Sequence, residues 1–141
     1  MAAPTISTAA EAFAAVALAA VACDGELAAV EARGLRQQLE FRQPFCAMDD
    51  AAMAGLLDRL LAILREAGWL ALVQQAAPHL DPAQAETAFA VAASLTQADH
   101  VESSSEQSFL EQLSATLQLA AERADTILDV VSLLNRDSLA G

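Results

Sequence analysis

Hydrophobic residues recur along this chain at intervals of three and four positions, the spacing of α-helices that bury one face. The pattern is clearest from Met53 to Leu64, a segment whose leucines fall on one face of a helical template. Valine and isoleucine never form the alternating runs that are typical of strands. The pattern therefore predicts about seven helices, at residues 7–22, 28–41, 50–66, 69–77, 82–97, 104–117 and 121–136.

Capping and turn residues mark the expected ends of these helices. Ser7 or Thr8 can cap the first helix, and Asp81 precedes a proline, which is favourable at a first helical position. Gly68 is expected to break the chain between the third and fourth helices. The residues expected to face inward include Phe13, Val16, Leu35, Leu39, Leu60, Trp69, Val73, Phe89, Leu113, Val130, Val131 and Leu134.

The chain contains an internal repeat with an offset of 75 residues. At this offset Asp24 aligns with Asp99, and Glu31 aligns with Glu106. Each half therefore consists of an apolar helix, an acidic turn and a second helix that opens with Glu. Two such helical hairpins can pack face to face as pseudo-symmetric halves.

Composition agrees with one helical domain. The hydrophobic fraction of 55% owes much to alanine, a strong helix former, and 141 residues are enough to bury a core. We therefore expect a single all-α domain over residues 1–141, with pseudo-symmetric hairpin halves at about 10–45 and 82–119. Cys23 and Cys46 are expected to be reduced and buried, although a thiol ligand at Cys23 is an alternative.

The net charge of −12 restricts the classes of partner. All seven basic residues are arginine, against 19 acidic residues, so the surface repels nucleic-acid backbones and anionic lipids. Such a surface favours cations and basic protein partners. The apolar segment at residues 12–23 has no basic residue before it and is too short to span a bilayer. We interpret it as a buried helix, and we expect a cytoplasmic protein that does not insert into the membrane.

The two acidic turns are the candidate functional site. In each turn an Asp ends one helix and a Glu lies at the start of the next, so the carboxylates can converge if the halves pack about a pseudo-twofold axis. Carboxylate oxygens suit Ca²⁺ or Mg²⁺, and a histidine ligand would also suit Zn²⁺ or Mn²⁺. The predicted metal ligands are Asp24, Glu31, Asp99 and Glu106, with His100 and Glu102 as additional candidates.

Ordinary helix capping is an alternative explanation for part of this pattern. Ser103 and Glu106 have the spacing of a capping box, and Asp24 and Asp99 are common turn formers. Glu31 cannot form such a capping box, because the residue at the cap position before it is an alanine. Stabilisation of Glu31 by the helix dipole is still an alternative. Neither turn has the alternating ligands of an EF-hand, so any site must be shared between the turns.

The order of these features resembles the TerB (tellurite-resistance B) family. The resemblance is carried by the segment from Ala22 to Gly25 and, after a short gap, by Glu31 opening a helix with a leucine-rich face. The chain is also similar to the related domain at the N-terminus of some membrane-anchored DnaJ-like co-chaperones. The resemblance covers residues 10–119 and implies an all-helical domain whose acidic clusters bind metal.

By position, Asp24 and Glu31 match the first family motif, and Asp99 and Glu106 match the second, whereas His100 stands where the family's glycine is expected. The resemblance implies a role in tellurite and other chemical stress, through protein assemblies near the cytoplasmic face of the membrane. We expect no enzymatic activity, since the sequence has no nucleophile and histidine constellation and no phosphate-binding glycine loop. The alternative is a metal-free domain that docks a basic protein partner through its acidic face.

Overall fold

Helices make up the regular structure of the described residues, which in this computed structural model are 5–22, 29–97, 104–136 and 138–139. Two short 3₁₀ turns, Phe45–Ala47 and Ala77–His79, flank the longest helix. The predicted all-α class is confirmed for this part of the chain. None of the helices within these ranges has the length and apolar character needed to cross a membrane. In chain order, α1 to α6 span Ala9–Ala22, Ala29–Glu40, Asp50–Ala76, Pro82–Thr96, Ser104–Thr116 and Ala121–Leu134.

Gly68 interrupts the helical geometry of α3. Its backbone angles, φ 88° and ψ 168°, are far from helical values, and two helical segments meet there at a kink. Side chains strongly disfavour this conformation, so glycine is required there. The break expected at Gly68 is therefore confirmed, and the third and fourth predicted helices are the two segments of α3 on either side of it. With α3 counted as one element, the described ranges contain six α-helices.

α1 lies at the centre of the bundle. All of its residues from Ala14 to Ala22 are buried, and it packs against both α3 and α4. A helix that is apolar on every side is typical of a buried position. Alanine favours this arrangement, because its small side chain lets neighbouring helices approach closely. The interpretation of residues 12–23 as a buried helix is thus confirmed for its described part.

The rest of the core comes largely from the inward faces of α2 to α5. Complete burial of a leucine or phenylalanine side chain contributes roughly 1.5–3 kcal/mol. Trp69 is half-buried and packs edge-on against Phe109, with ring centroids 4.8 Å apart, and this contact joins α3 to α5. The predicted inward residues that are buried include Val16, Leu35, Leu39, Leu60, Val73, Phe89, Leu113 and Val131.

Two expectations about burial are wrong. On α6, Val130 and Leu134 are 50% and 76% exposed. This helix packs mainly on α4, and a single neighbour covers only a narrow stripe of a helix. Cys46 is exposed rather than buried, because the 3₁₀ turn that contains it directs the preceding Phe45 into the core.

Candidate functional site

The structure describes two of the six candidate metal ligands. Glu31 lies in the first turn of α2. Glu106 lies in the first turn of α5, where its side chain is half-buried. Of the two acidic turns, the structure therefore describes the helices on either side. The candidates outside the described residues are Asp24, Asp99, His100 and Glu102.

The helices that precede the two acidic turns begin at the same end of the molecule. α1 and α4 contain 14 and 15 residues, pack against each other, and contribute their first turns to one groove. Because the two helices have nearly equal lengths, their last residues, Ala22 and Thr96, lie toward the opposite end. The middle of α2 approaches this end as well, since a Cβ atom built on Gly34 would lie 3.6 Å from Leu95 Cδ2 in the last turn of α4.

In the described ranges, no three His, Cys, Asp or Glu side chains form a group that could hold an ion. His79 lies exposed at the end of a 3₁₀ turn, as expected for a solvated histidine. The metal prediction therefore depends on the carboxylates of the two acidic turns.

A buried carboxylate that the sequence pattern did not single out lies at the start of α1. Glu11 is 8% exposed, and its Oε1 accepts hydrogen bonds from the Ser7 and Thr8 hydroxyls at 2.8 and 3.2 Å. Its backbone N–H donates to Thr8 Oγ1 at 3.1 Å, so Thr8 caps the helix. The spacing Thr-x-x-Glu, typical of a capping box, was the available sequence signal.

The other carboxylate oxygen of Glu11 is paired with an arginine. Glu11 Oε2 is buried and forms an ion pair with the Arg59 guanidinium, whose side chain is 53% exposed. This pair joins the first turn of α1 to the middle of α3. With one oxygen hydrogen-bonded and the other ion-paired, the charge of Glu11 is compensated at the edge of the core, so we assign it a structural role.

An apolar groove lies at the end of the bundle where α1 and α4 begin. We call it the phenylalanine groove; its volume is about 580 Å³, and Phe13, Phe41 and Phe45 contribute to its walls. The rings of Phe13 and Phe45 are 6.3 Å apart between centroids. The Arg42 guanidinium lies 4.8 Å from the Phe41 ring centroid and 5.6 Å from that of Phe13. Its Nε donates a hydrogen bond to the Gln38 carbonyl at 3.0 Å.

The sequence pattern did not predict this groove. The residues that connect α2 to α3 contain five of its lining residues, 41–45, among them Phe41, Arg42 and Phe45. Two aromatic residues beside an arginine and a proline are a weak signal, because their spacing does not show which rings face a cavity. The exposure of Phe41, at 68%, is a property of the folded chain.

Two exposed arginines join neighbouring helices at the surface. Arg36 bonds Glu40 at 2.8 Å and Asp50 at 2.5 Å, and Arg123 pairs with Glu86 between α6 and α4. Hydrogen bonds to Glu40 and then to Asp50 raise the pKa of Arg36, and the hydrogen bond to Glu86 raises that of Arg123. Both cations stay charged at any physiological pH, and such exposed pairs are typically weak contributors to stability.

Comparison of the chain with protein-family models, with curated proteins and with solved structures finds no match. Function is therefore inferred from the residues and their geometry. The resemblance to the TerB family remains a prediction that rests on the acidic turns.

Proposed function

We propose that the protein is a TerB-like helical module that binds a divalent cation through its two paired Asp/Glu turns. The observation that carries the proposal is the packing at one end of the bundle, where Gly34 of α2 lies against Leu95 in the last turn of α4. Because α1 also runs toward that end, this packing supports convergence of the two acidic turns there. The proposed ligands are Asp24, Glu31, Asp99 and Glu106, with His100 and Glu102 as further candidates.

The helix boundaries support the internal repeat. α2 begins at Ala29 and α5 begins at Ser104, which matches the sequence offset of 75 residues. The ends of α1 and α4, Ala22 and Thr96, agree with this offset to within one residue. Glu31 and Glu106 are consequently each the third residue of their helix. This agreement favours two hairpin halves with equivalent acidic turns.

The donor set fits a hard divalent cation. Carboxylate oxygens are the preferred ligands of Ca²⁺ and Mg²⁺, and participation of His100 would extend the choice to Zn²⁺ or Mn²⁺. A glutamate in the first turn of a helix is favoured in its charged form by the helix dipole. When bound, the ion would relieve repulsion among the carboxylates and join the two halves of the bundle.

The cellular role that we attach to this site is a response to tellurite and other chemical stress. We place it in a protein assembly at the cytoplasmic face of the membrane, without insertion of this chain. The net charge of −12 supports basic surfaces as partners in such an assembly.

Calorimetric titration of the chelator-treated protein with Ca²⁺, Mg²⁺, Mn²⁺ and Zn²⁺ tests the cation site. We expect one of these ions to raise the Tm. Its binding should raise the free energy of unfolding by about 2.7 kcal/mol when the ion concentration is a hundred times the Kd. The variant Asp24→Asn/Asp99→Asn should lose this response. Asp58→Asn/Asp129→Asn is the matched control, because it removes the same charge from exposed positions on α3 and α6. No response to any ion at millimolar concentration would falsify the proposal.

Glu106→Gln separates a ligand role from capping. If Glu106 binds the ion, the substitution weakens the ion's effect on Tm more than it changes the Tm in chelator. If the residue only caps α5, Gln preserves the capping hydrogen bond, as Gln84 does at the start of α4, and the Tm changes little either with or without the ion. The second result removes Glu106 from the proposed ligand set.

A second candidate function is a metal-free interaction domain, favoured by the exposed end of α6. Val130, Leu133 and Leu134 are 50%, 58% and 76% exposed, and they form what we call the α6 apolar strip. Asp125 and Asp129, on the same helix, are also exposed. Apolar side chains with neighbouring carboxylates suit an amphipathic helix that carries basic residues.

Fluorescence anisotropy of a labelled lysine-rich amphipathic peptide tests this candidate. Binding in the presence of chelator should weaken as salt increases and should be lost in Leu133→Ser/Leu134→Ser. Phe41→Ser serves as the control, since it removes an exposed apolar side chain from the phenylalanine groove. Equal binding by both variants would exclude the α6 apolar strip as the docking surface.

A further inference from the structure

Arg42 differs from the other arginines in its surroundings. In the described part of the chain, three arginines form ion pairs with carboxylates, namely Arg36, Arg59 and Arg123. Arg42 is half-buried, and no carboxylate of the described residues lies within ion-pair distance of it. The three remaining arginines also lack such a pair but are exposed to solvent; they are Arg33, Arg65 and Arg136. A partly desolvated cation without a counterion is unusual in a chain of net charge −12.

The orientation of Arg42 leaves one edge of its guanidinium group available. The phenyl rings of Phe41 and Phe13 lie near it, and Nε is engaged by the Gln38 carbonyl. The two Nη atoms are not used by these interactions. A planar guanidinium presents its terminal N–H groups as a fork, which matches both oxygens of a carboxylate. The aromatic contacts and the bond to Gln38 also restrict the side chain before a ligand arrives.

The groove beside Arg42 has the size and walls of a small-ligand site. Its volume of about 580 Å³ falls within the range of about 300–1,000 Å³ that is common for such sites. Three phenylalanines and Leu80 supply apolar surface, and Gln84 and Thr87 are the polar groups on the α4 side. One cation at the edge of an apolar cavity is the arrangement that recognises a molecule with an apolar body and an anionic head.

We propose that the phenylalanine groove binds a small amphipathic monocarboxylate, with the carboxylate on the Arg42 Nη atoms and the apolar body against Phe13, Phe41 and Phe45. We propose a ligand with a single negative charge, because the protein's net charge of −12 repels every further anionic group on the ligand. The site is independent of the proposed cation site, since α1 and α4 begin at the groove and run from it toward the acidic turns.

Calorimetric titration with octanoate, octan-1-ol and octanedioate tests the head-group requirement. We expect octanoate to bind with a Kd on the order of 1 mM or below. Octan-1-ol should bind at least about tenfold more weakly, because it lacks the charge-assisted hydrogen bonds. Octanedioate should also bind more weakly, because its second carboxylate is repelled. Equal affinities for octanoate and octan-1-ol overturn the proposal, as does the absence of any heat with octanoate at about 10 mM.

Variants locate the ligand on the protein. Arg42→Gln should weaken octanoate binding about tenfold or more, whereas Arg65→Gln, which removes an exposed arginine of α3, should leave it unchanged. Phe41→Ala should also weaken binding, and its fold should persist because that side chain is 68% exposed. Amide chemical shifts that respond to octanoate should include those of Phe41, Arg42 and Phe45.

Two further results decide the outcome. Unchanged octanoate affinity in Arg42→Gln, or shift changes confined to residues outside the groove, overturns the proposal. Cation titrations of Arg42→Gln should match those of the unmodified protein, because the groove lies where α1 and α4 begin, whereas the acidic turns follow the ends of these helices. A failure of the groove proposal is therefore distinguishable from a failure of the cation site.

Discussion

Glu11 brings a negative charge to the first turn of the most buried helix of the protein. Its carboxylate is 8% exposed, and its compensation comes from two hydroxyls and from Arg59 on another helix. Removing only one member of such a pair leaves a buried charge without a partner, which costs more than the intact pair contributes. Arg59 is half exposed, so in a variant without the arginine, water supplies part of the stabilisation that it gives to the Glu11 carboxylate.

Replacing Arg59 by methionine should lower the free energy of unfolding by about 1–3 kcal/mol, because Glu11 Oε2 is then buried without an ion pair. The double variant Glu11→Leu/Arg59→Met should recover part of this loss, since no charge remains to be compensated. Urea denaturation followed by circular dichroism measures both changes. Arg65→Met, at an exposed position of the same helix, should stay within about 0.5 kcal/mol of the unmodified protein. A double variant less stable than Arg59→Met would show that Glu11 stabilises the protein even without the arginine, through its bonds to Ser7 and Thr8.

The kink of α3 depends on one residue. Gly68 has φ 88° and ψ 168°, and the Trp69 side chain that follows it reaches Phe109 of α5. The kink thus separates the part of α3 that pairs with Glu11, through Arg59, from the part that packs against α5.

Gly68→Ala should destabilise the protein by about 1–3 kcal/mol through backbone strain. Crowding does not contribute, because a Cβ atom on Gly68 would have no heavy atom within 4 Å. Gly55→Ala is the matched control: Gly55 is also free of neighbours within 4 Å, but it lies in regular helix. It should stabilise the protein by about 0.4–1 kcal/mol. Thermal and urea unfolding of both variants measures the difference, and equal effects would exclude strain at Gly68.

Net charge acts on the molecule as a whole. The chain has a net charge of −12, and among the helices of the described ranges α3, α5 and α6 have exposed carboxylates that no arginine pairs with. Mutual repulsion among such groups opposes the compact state. Surface pairs such as Arg123 with Glu86 oppose this repulsion only locally.

Raising NaCl from about 0.01 M to about 0.1 M should raise the Tm by about 3 °C, because the screening length falls from about 30 Å to about 10 Å. Sodium chloride is chosen because sulfate would also strengthen apolar burial. A fall in Tm would mean that the arginine pairs outweigh the repulsion. The response should be smaller in a variant that removes four exposed charges, Asp58→Asn/Glu66→Gln/Glu111→Gln/Asp125→Asn.

Much of the candidate site could be anticipated from local pattern. The offset of 75 residues located two acidic turns, and the starts of α2 and α5 agree with it. Whether the four carboxylates converge cannot be read from spacing, because it depends on the packing of helices that are distant in sequence. The sequence pattern did not reveal Arg42 and the phenylalanine groove for the same reason. Helices α1 and α4 supply part of the groove's walls, whereas Arg42 lies just after the end of α2.

The helices, the cap at Asp81 and the break at Gly68 follow from local chemistry, since periodicity, a capping carboxylate and backbone freedom act within a few residues. Tertiary packing alone decided which helix lies at the centre and which faces stay open. Val131 is buried while Val130 is half exposed, although both are apolar neighbours on α6. The difference arises because α4 covers one stripe of that helix, and coverage is a property of the assembled bundle.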